Sequence, residues 1–83
     1  MQLGYTPTAI AQLGKLPVSL QKRITDKVDF YVAQPNPLVN AKYLTDLKVY
    51  RFRIGEYRVI FECSKNTIVV LLIQKRDKAH KDL

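Results

Sequence analysis

Between Val49 and Phe61 the sequence settles into a period of two. Tyr50, Phe52 and Ile54 alternate with Val49, Arg51 and Arg53, and after Gly55-Glu56 the residues Tyr57, Val59 and Phe61 alternate with Arg58, Ile60 and Glu62. Strict alternation marks strands with one buried face, and a glycine opening a two-residue loop suits a type II′ hairpin turn. Paired around that loop, Ile54 faces Tyr57, Arg53 faces Arg58, Phe52 faces Val59, Arg51 faces Ile60 and Tyr50 faces Phe61. Side chains of a strand point alternately to its two sides. One side of the hairpin is therefore wholly apolar, and the other carries Arg51, Arg53 and Arg58. Such a hairpin needs a cover for its apolar side, and the rest of the chain must provide it.

The preceding residues supply helices. Thr6-Pro7-Thr8 has the capping residue and early proline of a helix start, and Ile10, Leu13 and Leu16 follow at helical spacing. Pro17 interrupts, and Ser19 is a second possible start. Leu20, Ile24, Val28 and Tyr31 then keep a period near 3.6, with Lys22, Arg23, Asp26 and Asp29 largely on the other side. Pro35-Asn36-Pro37 forbids continuation beyond about Gln34. The two helices read as an antiparallel hairpin, and Met1–Tyr5 as an opening strand. Leu38, Ala41, Leu44 and Leu47 read as a connection. Thr67–Gln74, apolar from Ile68 to Ile73, reads as a central strand covered on both sides, and Lys75–Leu83 as a charged tail or short helix. The predicted fold is α+β: a helical hairpin on a small twisted antiparallel sheet, in the order β-α-α-β-β-β, forming a single domain over residues 1–83.

Charge is the most informative part of the composition. Fourteen Lys and Arg against seven Asp and Glu give a net charge of +7. Residues 1–47 contribute +2 of this and residues 48–83 contribute +5. A balance this basic suits a polyanionic partner; the alternative reading is solubility alone. The longest apolar run is six residues, Ile68–Ile73, far short of the roughly twenty needed to span a bilayer. No charged head followed by an apolar stretch opens the chain, so no secretory signal is expected. Cys63 is the single cysteine and His80 the single histidine, which excludes an internal disulfide and a standard zinc site. A cytoplasmic protein with no metal and no small-molecule cofactor is expected.

Arg53 and Arg58, directly opposed, repel each other. A fold does not require that arrangement, whereas a bound anion would explain it. The planar guanidinium offers paired donors to phosphate oxygens and keeps its charge at any working pH. A coat of solvated arginines on an exposed sheet face accounts for the same spacing. Tyr43, Tyr50 and His80 are candidates for stacking on a base, while for each tyrosine a core role is the stronger reading. Cys63 falls on the apolar side of its strand and reads as a small core residue.

Taken in order, KLPVSLQKRI (15–24), QPNP (34–37), LTDLKVYRFRIGEYRVIF (44–61) and TIVVLLIQKRDKAH (67–80) resemble the RelE/ParE superfamily of toxins from type II toxin–antitoxin systems, most nearly its RelE branch. The resemblance covers nearly the whole chain. It implies a ribosome-dependent endoribonuclease that cleaves mRNA without a metal, by attack of a ribose 2′-hydroxyl on the adjacent phosphate, and that is held inactive by an antitoxin. Carried onto this sequence, the family's basic positions fall on Arg51, Arg53, Arg58 and Arg76, and its tail tyrosine on His80. Those five are the candidate catalytic residues. Lys48, Tyr50, Lys75, Lys78 and Lys81 are the candidate contacts to mRNA or ribosomal RNA.

Two departures matter. Several members carry lysine where this chain has Arg51 and Arg53, and histidine replaces tyrosine at position 80. Arginine hardly ever gives up its proton, so proton transfer falls to His80, with Glu62 and Tyr50 as weaker candidates. Two other functions fit the same sequence: a ParE-type poison of DNA gyrase, which cuts no RNA, and a non-catalytic basic binding module.

Overall fold

The computed structural model describes residues 1–76. The chain runs β1 (Gln2–Tyr5), α1 (Pro7–Gly14), α2 (Val18–Val32), a 3-10 turn at Pro37–Asn40, β2 (Ala41–Leu44), β3 (Val49–Ile54), β4 (Tyr57–Ser64) and β5 (Thr67–Lys75). The strands form one sheet in the order β1-β5-β4-β3-β2. Both helices pack on one side of it. The α+β layout expected from the sequence holds, with one further strand and one parallel pair.

The start of α1 follows from its sequence. The Thr6 hydroxyl accepts a hydrogen bond from the Ala9 N–H at 3.1 Å, and Pro7 occupies the first helical position, where no N–H is needed. The second helix starts at Val18 rather than Ser19, behind Pro17 and without a side-chain cap. It ends at Val32, two residues before Gln34. Ile24 and Val28 are its fully buried residues, one turn apart.

These two side chains meet the apolar side of the sheet. Phe52, Val59, Phe61, Ile68, Val70 and Ile73 form the core with Ala9, Ile24 and Val28. An aromatic row crosses it: Tyr31 lies 4.8 Å from Phe52, Phe52 4.4 Å from Phe61 and Phe61 5.6 Å from Tyr50, between ring centroids. Tyr43 on β2 ends the row, 5.0 Å from Tyr50.

The sheet differs from the sequence expectation in three ways. Residues Ala41–Leu44 form an edge strand antiparallel to β3, not a connection. The segment is too short to establish a periodicity, and its pairing depends on a neighbour that comes later in the chain. The opening strand is parallel to β5, with Gln2 opposite Thr67 and Tyr5 opposite Val70. And β5, though internal, buries Ile68, Val70 and Ile73 on one side only; Val69 and Leu72 are half-buried.

Beyond Val70, β5 outruns β1 and loses that partner. Helix α1 replaces it. The Thr6 hydroxyl donates to the Leu71 carbonyl at 3.0 Å, and the Ile73 N–H donates to Gln12 Oε1 at 2.7 Å. A register shift against β4 falls in the same stretch, at Ile60–Phe61. Backbone groups that a bulge would leave unpaired are thus satisfied by side chains. The last residues of β5 and Arg76 are thereby held in place for the site.

Candidate nucleic-acid interface

The β3–β4 register matches the one read from the sequence at all five pairs, including Arg53 opposite Arg58. Gly55 has φ +58° while Glu56 keeps a negative φ, which fits a type II′ turn. Arg51, Arg53 and Arg58 therefore share the side of the sheet away from the helices.

Strand β5 brings in the fourth arginine. Arg58 lies opposite Gln74, and two residues beyond Gln74 the Arg76 N–H donates to the Glu56 carbonyl at 2.6 Å. Alternation places Arg76 on the arginine side and Lys75 on the helix side. The electrostatics agree with this placement. Burial chiefly lowers the Arg58 pKa from its usual value, with Arg53 and Arg76 lowering it further. Arg51 is likewise lowered by burial, then by Arg53, Arg58 and Arg76. Arg53 and Arg76 thus act on both Arg51 and Arg58 across one shared field.

They are not equally exposed. Arg58 is only 6% exposed, Arg51 is half-buried, and Arg53 and Arg76 are exposed. Ile60, 4% exposed, forms the floor between them. The one ion pair between described residues is Lys22–Asp26, on the far side of α2. Arg51 Nε and Gln74 Oε1 are buried without a hydrogen-bond partner among the described residues. A buried donor and a buried acceptor left open in this way cost free energy unless something else meets them.

The structure separates the remaining candidates. Tyr50 sits in the aromatic row on the helix side, away from the arginines. Lys75 also faces that side, opposite Tyr57. Lys48 is exposed in the β2–β3 turn with φ +57°. Glu62 shares the arginine side but lies four residues from Arg58, about 13 Å along the strand. His80, Lys78 and Lys81 lie outside the described residues, as does any tail helix. Two residues of this side went unnoticed in the sequence: Lys42, opposite Arg51, and Gln74, opposite Arg58. Lys42 was hidden because β2 was not recognised. Gln74 would have been found by laying out the β4–β5 pairing.

Chemically, this surface can hold phosphate and stabilise charge that builds on it. No general base is evident on it among the described residues. These residues also contain no group of three His, Cys, Asp or Glu that could hold a metal ion, and no helix long and apolar enough to cross a membrane.

Comparison with known proteins agrees with this architecture. The chain aligns over 90% of its length, and 90% of the other chain, with the toxin–antitoxin complex RelBE2 of Mycobacterium tuberculosis, at TM-score 0.75 and 26% identity. The archaeal RelE–RelB complex of Pyrococcus horikoshii matches at TM-score 0.70 and 21% identity, covering 94% of this chain and 97% of that one. The intact RelBE complex of E. coli matches at TM-score 0.73 and 18% identity, covering 96% and 98%. No curated protein matches the sequence significantly. The scaffold is thus that of the small RelE-like toxins. A family model described as the ParE toxin of type II toxin-antitoxin system, parDE, matches residues 3–80, and the chain belongs to that family, within the RelE/ParE superfamily.

Proposed function

We propose that this toxin is a ribosome-dependent endoribonuclease that cleaves mRNA. The observation that carries this reading is the convergence of Arg51, Arg53, Arg58 and Arg76 on one side of the sheet, each lying in the field of the others. Packing does not need four like charges together, whereas a phosphate that gains negative charge during reaction does.

In this reading a ribose 2′-hydroxyl attacks the adjacent phosphorus. The bond to the 5′-oxygen of the next nucleotide breaks, leaving a 2′,3′-cyclic phosphate and a free 5′-hydroxyl. Arg58 is held rigid by burial and takes the non-bridging oxygens with Arg76. Arg51 and Arg53 position the strand. The proton leaving the 2′-hydroxyl and the one reaching the 5′-oxygen need a titratable group, and His80 is assigned that role. Lys48, Lys78 and Lys81 add phosphate contacts. A small domain with one open basic face has little means to orient RNA unaided, which makes the ribosome the natural source of alignment. The target places the toxin in the cytoplasm.

An antitoxin is the proposed protein partner. The solved relatives are toxin–antitoxin complexes, and a basic surface of this kind suits a segment carrying acidic and apolar residues. The description of the matching family favours a second reading, a gyrase poison of ParE type. One experiment separates the two: mRNA cleavage in a reconstituted translation reaction, mapped by primer extension, with and without ribosomes. Ribosome-dependent cuts that vanish in Arg58→Ala are expected. A folded wild-type chain that makes no cuts but blocks gyrase supercoiling overturns the ribonuclease reading.

A further inference from the structure

The β3–β4 turn has a basic side that the arginine face does not include. A cleft of about 430 Å³ lies between it and α2, lined by Leu20, Arg23, Gly55, Glu56, Tyr57 and Lys75 among others. Arg23 comes from α2, and its guanidinium lies 3.2 Å from where a side chain on Gly55 would begin. A side chain there would make the Arg23 guanidinium give way by a few tenths of an ångström. The carboxylate one turn away on α2, Asp26, is engaged by Lys22 at 3.0 Å, and Arg23 has no ion pair with any described residue. Lys75 enters from the other wall, in register with Tyr57.

Consecutive residues therefore straddle the sheet. Lys75 faces the cleft and Arg76 faces the arginine cluster, with the chain between them fixed by the bond from the Arg76 N–H to Glu56. Arg53 and Arg58 flank the same turn on the open side. Cations thus surround the hairpin tip on both sides of the sheet, and Glu56 is the sole carboxylate lining the cleft among the described residues.

We propose that this cleft is a second phosphate subsite, in which Arg23 and Lys75 hold an RNA backbone that rounds the hairpin tip from the arginine face. The inference rests on the ribonuclease reading and extends it. The ligand class is a phosphodiester backbone, bound through its charge rather than its sequence. Two cations on separate elements, with a half-buried tyrosine in the same lining, suit one phosphate and the edge of its sugar.

The test is fluorescence anisotropy of a labelled single-stranded RNA titrated with the full chain over a range of KCl. Arg23→Gln and Lys75→Gln are each expected to lower the salt slope by about 0.7 and the affinity about fourfold near 0.15 M salt. Glu56→Gln is expected to raise the affinity, a change of sign that a folding defect does not produce. Arg58→Gln serves as the comparison. If it weakens binding while Arg23→Gln, Lys75→Gln and Glu56→Gln bind like wild type, the second subsite is overturned and the arginine face stands. If the wild-type chain binds no RNA at any salt, the second subsite is overturned, and the ribonuclease reading is decided separately by the cleavage reaction with ribosomes.

Discussion

Arg53 and Arg58 are partners across the β3–β4 hairpin, two like charges where a sheet gains most from opposite ones. Directly opposed pairs are worth roughly 0.2–1 kcal/mol, and like charges make that a cost. Arg53 is exposed, so replacing it disturbs no packing. Arg53→Thr should raise stability by up to about 1 kcal/mol at low salt, with the gain shrinking as salt is added. Urea unfolding at two ionic strengths checks this, and the same variant should lose RNA affinity.

Arg58 and Arg76 are assigned to the reacting phosphate. Removing one preorganised charge-stabilising donor typically costs 10²–10³ in rate. Arg58→Ala and Arg76→Ala should each lower ribosome-dependent cleavage by about that factor. Arg58→Lys should recover little, because an ammonium lacks the planar fork of a guanidinium. Single-turnover cleavage rates measure both. Arg76 is exposed, so the thermal midpoint of its variant should stay near wild type.

Tyr5 has a hydroxyl that is buried without a hydrogen-bond partner among the described residues. Its pKa is raised, by burial first and by Asp29 second. The folded chain therefore keeps this proton to higher pH than the unfolded chain does. The resulting stability is complete below about pH 10 and is lost as pH rises from there through the folded value. Tyr5→Phe should abolish that alkaline decline. It should also hold or raise stability near neutral pH, since an unsatisfied buried polar group costs about 1–3 kcal/mol. Urea midpoints at neutral and alkaline pH decide it.

Lys48 has φ +57°, a left-handed conformation that costs a residue with a side chain about 1–2 kcal/mol. Glycine removes that cost and gives some of it back as freedom in the unfolded chain. Lys48→Gly should stabilise the fold by about 1 kcal/mol. Gly55→Ala should do the reverse, because φ is +58° and Arg23 crowds the position. Thermal unfolding of the two variants should move in opposite directions.

The hairpin could be read from the sequence because its signals are local. Alternation fixes which side each residue takes, and Gly55 fixes the loop, so the opposition of Arg53 and Arg58 follows from counting. The helices were legible from Thr6, Pro7 and the spacing of Ile24 and Val28. Long-range pairing was not. Nothing between Ala41 and Leu44 announces a strand, and nothing in Gln2–Tyr5 says it will lie parallel to β5. Burial was also hidden: Arg58 looked like part of a solvated coat, yet it is the least exposed of the four arginines. The placement of Lys75 and Arg76 on opposite sides of the sheet needed the end of β5, which depends on Thr6, the cap of α1, and on Gln12 within it.

The parallel pairing of β1 with β5 has a consequence in time. It joins the first strand of the described chain to the last, the kind of distant contact that slows folding. Arg76 reaches Glu56 and Arg58 only after β5 has paired with β4. During synthesis the chain emerges N-terminus first, so the other three arginines exist as residues well before they exist as a site. The arginine cluster is therefore complete only once the last of the described strands has joined the sheet.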